Sequence, residues 1–301
     1  MRGVQFTRFG DPDVLELVEL PDPAPGPGEI RVRVRAVGVN PIDWKVRSGA
    51  MGGELPKRTG QEVAGVVDLL GEGVDGVAVG DRVFGPAFGG GGAAELALMR
   101  TWAPIPPSLG FADAAALPVA VETAARTLDL LGVGSGQTVV INGASGSVGL
   151  AAVQLAARRG ARVIGTAGAH NQELLRSFGA EPTTYGKGLV DRVRALAPDG
   201  VDRALDATGG GALPALVQLT GGPEHVVTIA DFPGAQETGV QFTGGPGGER
   251  AWYALDEVAP LVEEDEFRLP VARTFPLDQI ADAHRLSESG HPGGKLVLVV
   301  G

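Results

Sequence analysis

Two kinds of hydrophobic patterning divide this chain. Early on, apolar and polar residues alternate with a period of two. In Ile30-Arg31-Val32-Arg33-Val34-Arg35-Ala36-Val37 the aliphatic residues fall on one face and the arginines on the other, as in a half-buried strand whose arginines meet water. Gln61-Glu62-Val63-Ala64-Gly65-Val66-Val67 and Gly80-Asp81-Arg82-Val83-Phe84 add short strands between glycine turns. The first 120 residues therefore read as all-β with few helices, the pattern of a compact barrel-like body. From Val121 onward, short solidly apolar runs alternate with amphipathic stretches. Strands are predicted at 138–142, 162–166, 201–206 and 225–229, with helices near 147–158, 171–178, 189–196 and 212–219. That alternation predicts a doubly wound parallel sheet. The run 244–248, four glycines and a proline, reads as a hinge or loop, and helices near 252–263 and 277–287 precede a last strand at 295–300 that is expected to return to the first domain.

The strand at 138–142 breaks into Gly143-Ala144-Ser145-Gly146-Ser147-Val148-Gly149 and then a helix. Small residues let the backbone approach a ligand closely, and a helix N-terminus offers unpaired N–H groups and the positive end of its dipole. A glycine-rich turn also serves as an ordinary strand-to-helix connection. The strand that follows at 162–166 completes a βαβ unit, the context in which such a turn binds a dinucleotide pyrophosphate.

Composition narrows the function classes. At 301 residues, 44% of them apolar, the chain is long enough for two domains with a cleft between them. A formal charge of −11 opposes nucleic-acid and anionic-membrane binding, so small-molecule partners are expected. With no signal-peptide pattern and no apolar run of about 18 residues, a soluble cytoplasmic protein is expected. The absence of cysteine excludes disulfides, thiol catalysis and thiolate zinc sites.

Several motifs occur together and in order: Gly38-Val39-Asn40-Pro41-Ile42-Asp43-Trp44-Lys45, Gly60-Gln61-Glu62-Val63-Ala64-Gly65-Val66-Val67, Val79-Gly80-Asp81-Arg82-Val83, Ala115-Ala116-Leu117-Pro118, the 139–149 turn and Gly294-Lys295-Leu296-Val297-Leu298. Over nearly its full length the chain resembles the medium-chain dehydrogenase/reductase superfamily, and within it the zinc-free, zeta-crystallin-like quinone oxidoreductase branch. The resemblance implies an α/β chain with a GroES-like β-barrel catalytic domain, 1–120 and 248–301, plus a doubly wound parallel-sheet Rossmann domain, 121–247. It also implies a homodimer joined along an edge such as 225–229 with 240–243. Zinc-dependent relatives place Cys where Asn40 stands and His where Gln61 stands, and carry a four-cysteine lobe where this chain has Gly85-Pro86-Ala87-Phe88-Gly89-Gly90-Gly91-Gly92. Metal ligands are therefore expected to be none.

Losing the Lewis acid disfavours oxidation of an unactivated alcohol. A quinone or α,β-unsaturated carbonyl compound is already electrophilic and mainly needs aligned hydride delivery. The expected activity is thus an NADPH-dependent reductase of quinones or enones. A pathway-specific reductase of a polyketide-like intermediate, with a wide cleft near Phe88, Trp102, Phe242 and Trp252, is the alternative, and a non-catalytic crystallin-like role is the third reading. Candidate catalytic residues are Asn40, donating to the carbonyl oxygen, Lys45, stabilising an enolate, and Asp43, orienting Lys45. Against these stand plainer roles: Asn40 as a helix cap, Asp43 as a first-turn acid and Lys45 as a solvated side chain.

For the cofactor, Ala144, Ser145, Gly146, Ser147, Val148 and Gly149 form the phosphate turn. In the loop Thr166-Ala167-Gly168-Ala169-His170-Asn171 no carboxylate stands to bind the ribose hydroxyls of NAD or to repel a 2′-phosphate, which favours NADPH. Thr166, Gly168 and His170 line that loop, although relatives often place Lys or Arg there. The resemblance assigns Tyr185, with Lys187 nearby, to the adenine-ribose phosphate, Thr123 to the nicotinamide and Ile229, Ala230 and Asp231 to its carboxamide; a plain surface loop is the other reading for Tyr185 and Lys187. Asp206 reads as a structural turn residue. His225, His284 and His291 sit away from every motif.

Overall fold

A computed structural model describes residues 1–244, 248–290 and 292–301. It forms two compact units, Met1–Val119 with Trp252–Gly301, and Ala120–Ala251.

In the first unit a seven-stranded sheet runs in the order Val271–Pro276, Lys295–Val299, Ile30–Val39, Glu62–Leu70, Arg82–Pro86, Ala103–Pro104, with Leu96–Met99 also pairing with Ile30–Val39. A three-stranded sheet places Arg2–Phe6 between Glu16–Glu19 and Lys57–Arg58. Along Ile30–Val39 the predicted alternation holds at first: Ile30, Val32 and Val34 are buried and Arg33 and Arg35 exposed. Arg31 is half-buried instead, because its guanidinium reaches Asp68 and the Pro23 carbonyl. After Val34 a register irregularity interrupts the pairing with Glu62–Leu70, and Ala36 to Val39 are all buried. That double-sided burial carries the chain directly into the helix Pro41–Arg47.

The second unit is built on a six-stranded, all-parallel sheet in the order Glu181–Thr183, Arg162–Thr166, Thr138–Asn142, Arg203–Asp206, Val226–Thr228, Gln241–Phe242. Its strands read as unbroken apolar runs because helices cover both faces. Val139, Val140, Ile141 and Ile164 are fully enclosed. The helices Ser147–Arg158 and Leu189–Leu196 keep their predicted bounds.

Pro118–Leu130 is among the helices that the sequence pattern did not predict. It buries Ala120, Val121, Ala124, Ala125 and Leu128 together with Glu122 and Arg126, so it lacks the polar face that gives a surface helix its 3.6-residue signature. Phe232–Thr238 was also unforeseen, opened by Asp231, whose side chain accepts from Gly234 N. The glycine-rich run read as a hinge or loop falls at 245–247 outside the described residues, as does His291. Among the described residues no helix is long and apolar enough to cross a membrane.

Candidate functional site

In a parallel sheet the loops at the carboxyl ends of the strands are where ligands collect. Here those ends are stitched together by a buried polar ladder. Thr166 Oγ1 donates to Asn142 Oδ1 (2.7 Å) and accepts from Gly143 N (3.1 Å). Asn142 Nδ2 donates to Asp206 Oδ1 (2.9 Å), and Thr228 Oγ1 donates to Asp206 Oδ2 (2.7 Å). Thr228 Oγ1 in turn accepts from Ala230 N and Asp231 N, both at 3.2 Å. Four neighbouring strands thus end in one hydrogen-bonded row, and Thr166, Asn142, Asp206 and Thr228 are all buried. Asp206 also accepts from Thr208 N and Gly209 N, so the turn role read for it is met and extended.

This row positions the glycine turn. Ala144 is enclosed, and its N–H donates to Thr166 O (2.9 Å). Gly146 N closes onto Gly143 O (3.1 Å), and Gly143 takes a φ of 78° that favours glycine. At Gly149 a Cβ would lie 2.3 Å from Gly143 O and 2.6 Å from Ala144 Cα, so any larger residue would push the helix away from the turn. The N–H groups of Ser145, Ser147, Val148 and Gly149 find no acceptor among the described residues. Gly146 is exposed, and Ser145, Ser147 and Val148 are half-exposed. Gly149 is buried, but the unpaired amides of the half-exposed Ser145, Ser147 and Val148, at the start of a twelve-residue helix, fit the pyrophosphate of a dinucleotide.

Beside the turn, His170 and Tyr185 are exposed, as is Lys187. The loops bearing them are joined: Ala167 N donates to Thr183 O (3.0 Å), and Gln172 Nε2 contacts the carbonyls of Ala167, Gly168 and Thr183 at 3.0 to 3.2 Å. Ile229, Ala230 and Asp231 stand half-exposed after Val226–Thr228. Thr123 is 8% exposed on Pro118–Leu130, its Oγ1 3.2 Å from Glu122 Oε2. Glu122 is itself ion-paired with Arg126 (2.6 Å), which contacts Thr243.

The other candidates belong to the first unit. Asn40 stands at the N-cap of Pro41–Arg47, yet its side chain does not cap. Capping is done by Asp43, whose Oδ2 accepts from Asn40 N (2.8 Å), while Asp43 N donates to the Asn40 backbone oxygen (3.0 Å). The Asn40 amide is held in a buried cluster instead: Nδ2 donates to Glu62 Oε1 (2.7 Å) and Oδ1 accepts from Lys295 Nζ (2.6 Å). Lys295 Nζ also donates to Glu62 Oε1 (2.6 Å), and Glu62 Oε2 accepts from Val119 N (2.6 Å). Neither Glu62 nor Lys295 was singled out from sequence as a functional residue. The signal was present, since each is a charged residue opening an apolar strand.

The proposed orientation of Lys45 by Asp43 is overturned. Asp43 is buried, and its partners are Asn40 N, Gly60 N (3.2 Å) and Thr59 Oγ1 (3.1 Å). Burial raises its pKa to about 6, against the lowering effect of these donors, and nearby Glu62 adds to the rise. Lys45 is half-exposed, with Nζ 5.8 Å from the centroid of the Trp44 ring.

The comparisons with known proteins agree from end to end. Residues 26–107 match the alcohol dehydrogenase GroES-like domain and residues 178–298 the zinc-binding dehydrogenase family. The chain is 31% identical to a quinone oxidoreductase of Rattus norvegicus over 100% of its own length and 98% of that protein's. The chain belongs to the quinone oxidoreductase branch of the medium-chain dehydrogenase/reductase superfamily.

Other members of the superfamily widen the range. A 2-methylene-furan-3-one reductase of Solanum lycopersicum is 32% identical, with 99% of this chain and 79% of that protein covered. A spectinabilin polyketide synthase system protein of Streptomyces orinoci is 35% identical over 80% of this chain, which spans 12% of that much longer protein. Among solved structures, the quinone oxidoreductase from Coxiella burnetii superposes with a TM-score of 0.87 at 31% identity, covering 100% and 99% of the two chains. A mycobacterial protein complexed with NADPH gives 0.84 at 27% identity, covering 99% and 100%. These neighbours share the fold predicted from sequence, a GroES-like domain plus a parallel-sheet Rossmann domain.

Zinc, which the name of one matching family implies, does not fit the residues around Asn40. Where zinc relatives supply a thiolate, Asn40 spends both amide atoms on Glu62 and Lys295, and the Lys295 ammonium already brings a cation to that position. Among the described residues no three His, Cys, Asp or Glu side chains gather to hold a metal.

Proposed function

We propose that this oxidoreductase is an NADPH-dependent, zinc-independent reductase of quinones or α,β-unsaturated carbonyl compounds. The observation that carries the reading is the row of unpaired amides at Ser145, Ser147, Val148 and Gly149, next to a ribose loop, Thr166 to Asn171, without a carboxylate. The names of the rat and tomato relatives supply the substrate class. When bound, NADPH supplies a hydride, and a conjugated carbonyl accepts it without a Lewis acid.

In this reading Ala144 to Gly149 hold the pyrophosphate, and Gly168, His170 and Tyr185 meet the adenine-ribose phosphate. Thr166 fixes the turn from beneath. Thr123 with Ile229, Ala230 and Asp231 orients the nicotinamide end. Asn40 Nδ2 has a second N–H beyond the one given to Glu62, and donates it to the substrate oxygen as negative charge develops there. Lys45 contributes a long-range positive charge. Two copies pair along the edge strand Gln241–Phe242 in the cytoplasm.

The test is steady-state reduction of simple quinones and enones with NADPH and with NADH. Equal kcat/KM for the two cofactors removes the NADPH preference, and full kcat in both Asn40→Ala and Lys45→Ala removes their roles. A second reading, a reductase of a larger secondary-metabolite intermediate, is favoured by the Streptomyces orinoci relative. It predicts kcat/KM rising steeply with acyl-chain length, whereas the first predicts a flat series.

A further inference from the structure

Arg192 is not part of any motif, yet its guanidinium gathers a whole loop. Nη1 donates to Lys187 O (2.8 Å), and Nη2 reaches Thr184 O (2.8 Å), Tyr185 O (3.3 Å) and Gly186 O (3.5 Å). Four successive carbonyls therefore point at one cation. In a trans peptide the N–H lies opposite the C=O, so turning these carbonyls inward turns the amides outward. The chain achieves this curl with glycine at 186 and 188, whose φ values of 83° and 78° suit no other residue as well. Tyr185 is left 60% exposed at the crest, with Lys187 exposed beside it.

This loop follows the strand Glu181–Thr183, which pairs in parallel with Arg162–Thr166, Thr166 opposite Thr183. Gln172 clamps the two strand ends through three carbonyls, so the His170 loop and the Tyr185 loop share one corner of the sheet. Neither loop contains a carboxylate from Thr166 to Asn171 or from Thr183 to Gly188. Of the acids flanking these loops, Glu181 pairs with Arg162 and Glu173 with Arg176, while Asp191 stands on the first turn of the helix Leu189–Leu196.

We infer that Arg192 is the positioning residue that sets discrimination for the 2′-phosphate of the cofactor. It acts through the backbone of Thr184 to Lys187 and does not touch the phosphate itself. A guanidinium suits the task because its planar fork spans several carbonyls, which a lysine ammonium on a flexible stem does not. The inference rests on the NADPH reading above.

The experiment is calorimetric titration of the full chain with 2′,5′-ADP and with 5′-AMP, which needs no substrate. Wild type is expected to prefer 2′,5′-ADP by about tenfold or more. In Arg192→Met that ratio falls to about one, while 5′-AMP affinity changes by less than about twofold. General loss of structure lowers both affinities together, so the ratio reads positioning alone. Arg192→Lys, which retains the charge and the aliphatic stem, is expected to lose most of the preference and carries the test if the Met variant does not fold. A wild-type preference that survives in Arg192→Met, or in full in Arg192→Lys, overturns the role of Arg192 and leaves the NADPH reading standing. A wild type without preference overturns both.

Discussion

Lys295 Nζ lies 2.6 Å from Asn40 Oδ1 and thereby decides which way the Asn40 amide faces. A lysine can only donate, so Oδ1 must turn to it and Nδ2 to Glu62, leaving one N–H of Asn40 uncommitted. The orientation of the Asn40 amide is thus fixed by its partners, and its polarity is reinforced by the adjacent cation.

Removing that cation has two consequences. In Lys295→Met, the fully buried Glu62 loses its charged partner, and a loss of about 3 to 5 kcal/mol is expected in urea unfolding. The double variant Lys295→Met with Glu62→Gln should recover a large part of this, because no unpaired charge remains. In the double variant Asn40 is free to rotate, so kcat is expected to fall while the KM for NADPH stays constant. A double variant as unstable as the single one contradicts this account of the pair.

Asp43 gives a pH dependence of defined sign. Its carboxyl has a pKa of about 6 in the fold against an ordinary value near 3.8, so the folded state binds the proton more tightly. Its stabilising share is complete below the ordinary value and is lost as pH rises to about 6. Asp43→Asn should abolish this segment of the stability curve. Where Asp43 is protonated it should also cost about 2 kcal/mol, since the new NH₂ meets the Asn40 N–H, donor against donor, and this difference should shrink as pH rises to about 6. Parallel urea curves across that range for the two proteins check both parts.

His284 slopes the other way. Burial, assisted by Arg47, pushes its pKa down to about 3, and Nδ1 has no hydrogen-bond partner. The unfolded chain takes up a proton near the ordinary value of 6.5 while the folded chain does not, so stability is full above that value and is lost as pH falls toward 3. His284→Leu is expected to change stability little at neutral pH. At about pH 5 it should be more stable than wild type by about 2 kcal/mol. Thermal unfolding at the two pH values reads the difference, and equal acid sensitivity of both proteins refutes it.

The contrast between what the sequence disclosed and what it hid follows from distance along the chain. Thr138–Asn142 and Arg162–Thr166 were legible because apolar runs, a glycine turn and a helix of fixed period are all local signals. Pro118–Leu130 was not, because a helix enclosed on every side has no polar stripe to give it away. Lys295 and Glu62 are separated by 233 residues and meet only in the folded sheet. The partners of Asn40 come from other strands, out of reach of local signals, and the assignment of Asp43 to Lys45 failed because two residues apart on a helix do not face each other.

The neighbours of Asp206, Asn142 and Thr228, likewise come from different strands. It is fully buried and holds four donors: Asn142 Nδ2, Thr208 N and Gly209 N on one oxygen and Thr228 Oγ1 on the other. In Asp206→Asn the shape is kept but the second oxygen becomes an NH₂ facing Thr228 Oγ1. That hydroxyl already accepts from Ala230 N and Asp231 N, so both its lone pairs are taken and its own proton loses an acceptor. The expected cost is about 1 to 3 kcal/mol. Because the ladder links the glycine turn to Ile229, Ala230 and Asp231, NADPH affinity should drop by about tenfold. Thr228→Ser retains the hydroxyl and should keep both properties close to wild type. An Asp206→Asn protein that binds NADPH as wild type does would separate the ladder from the cofactor turn and reduce it to a purely structural row.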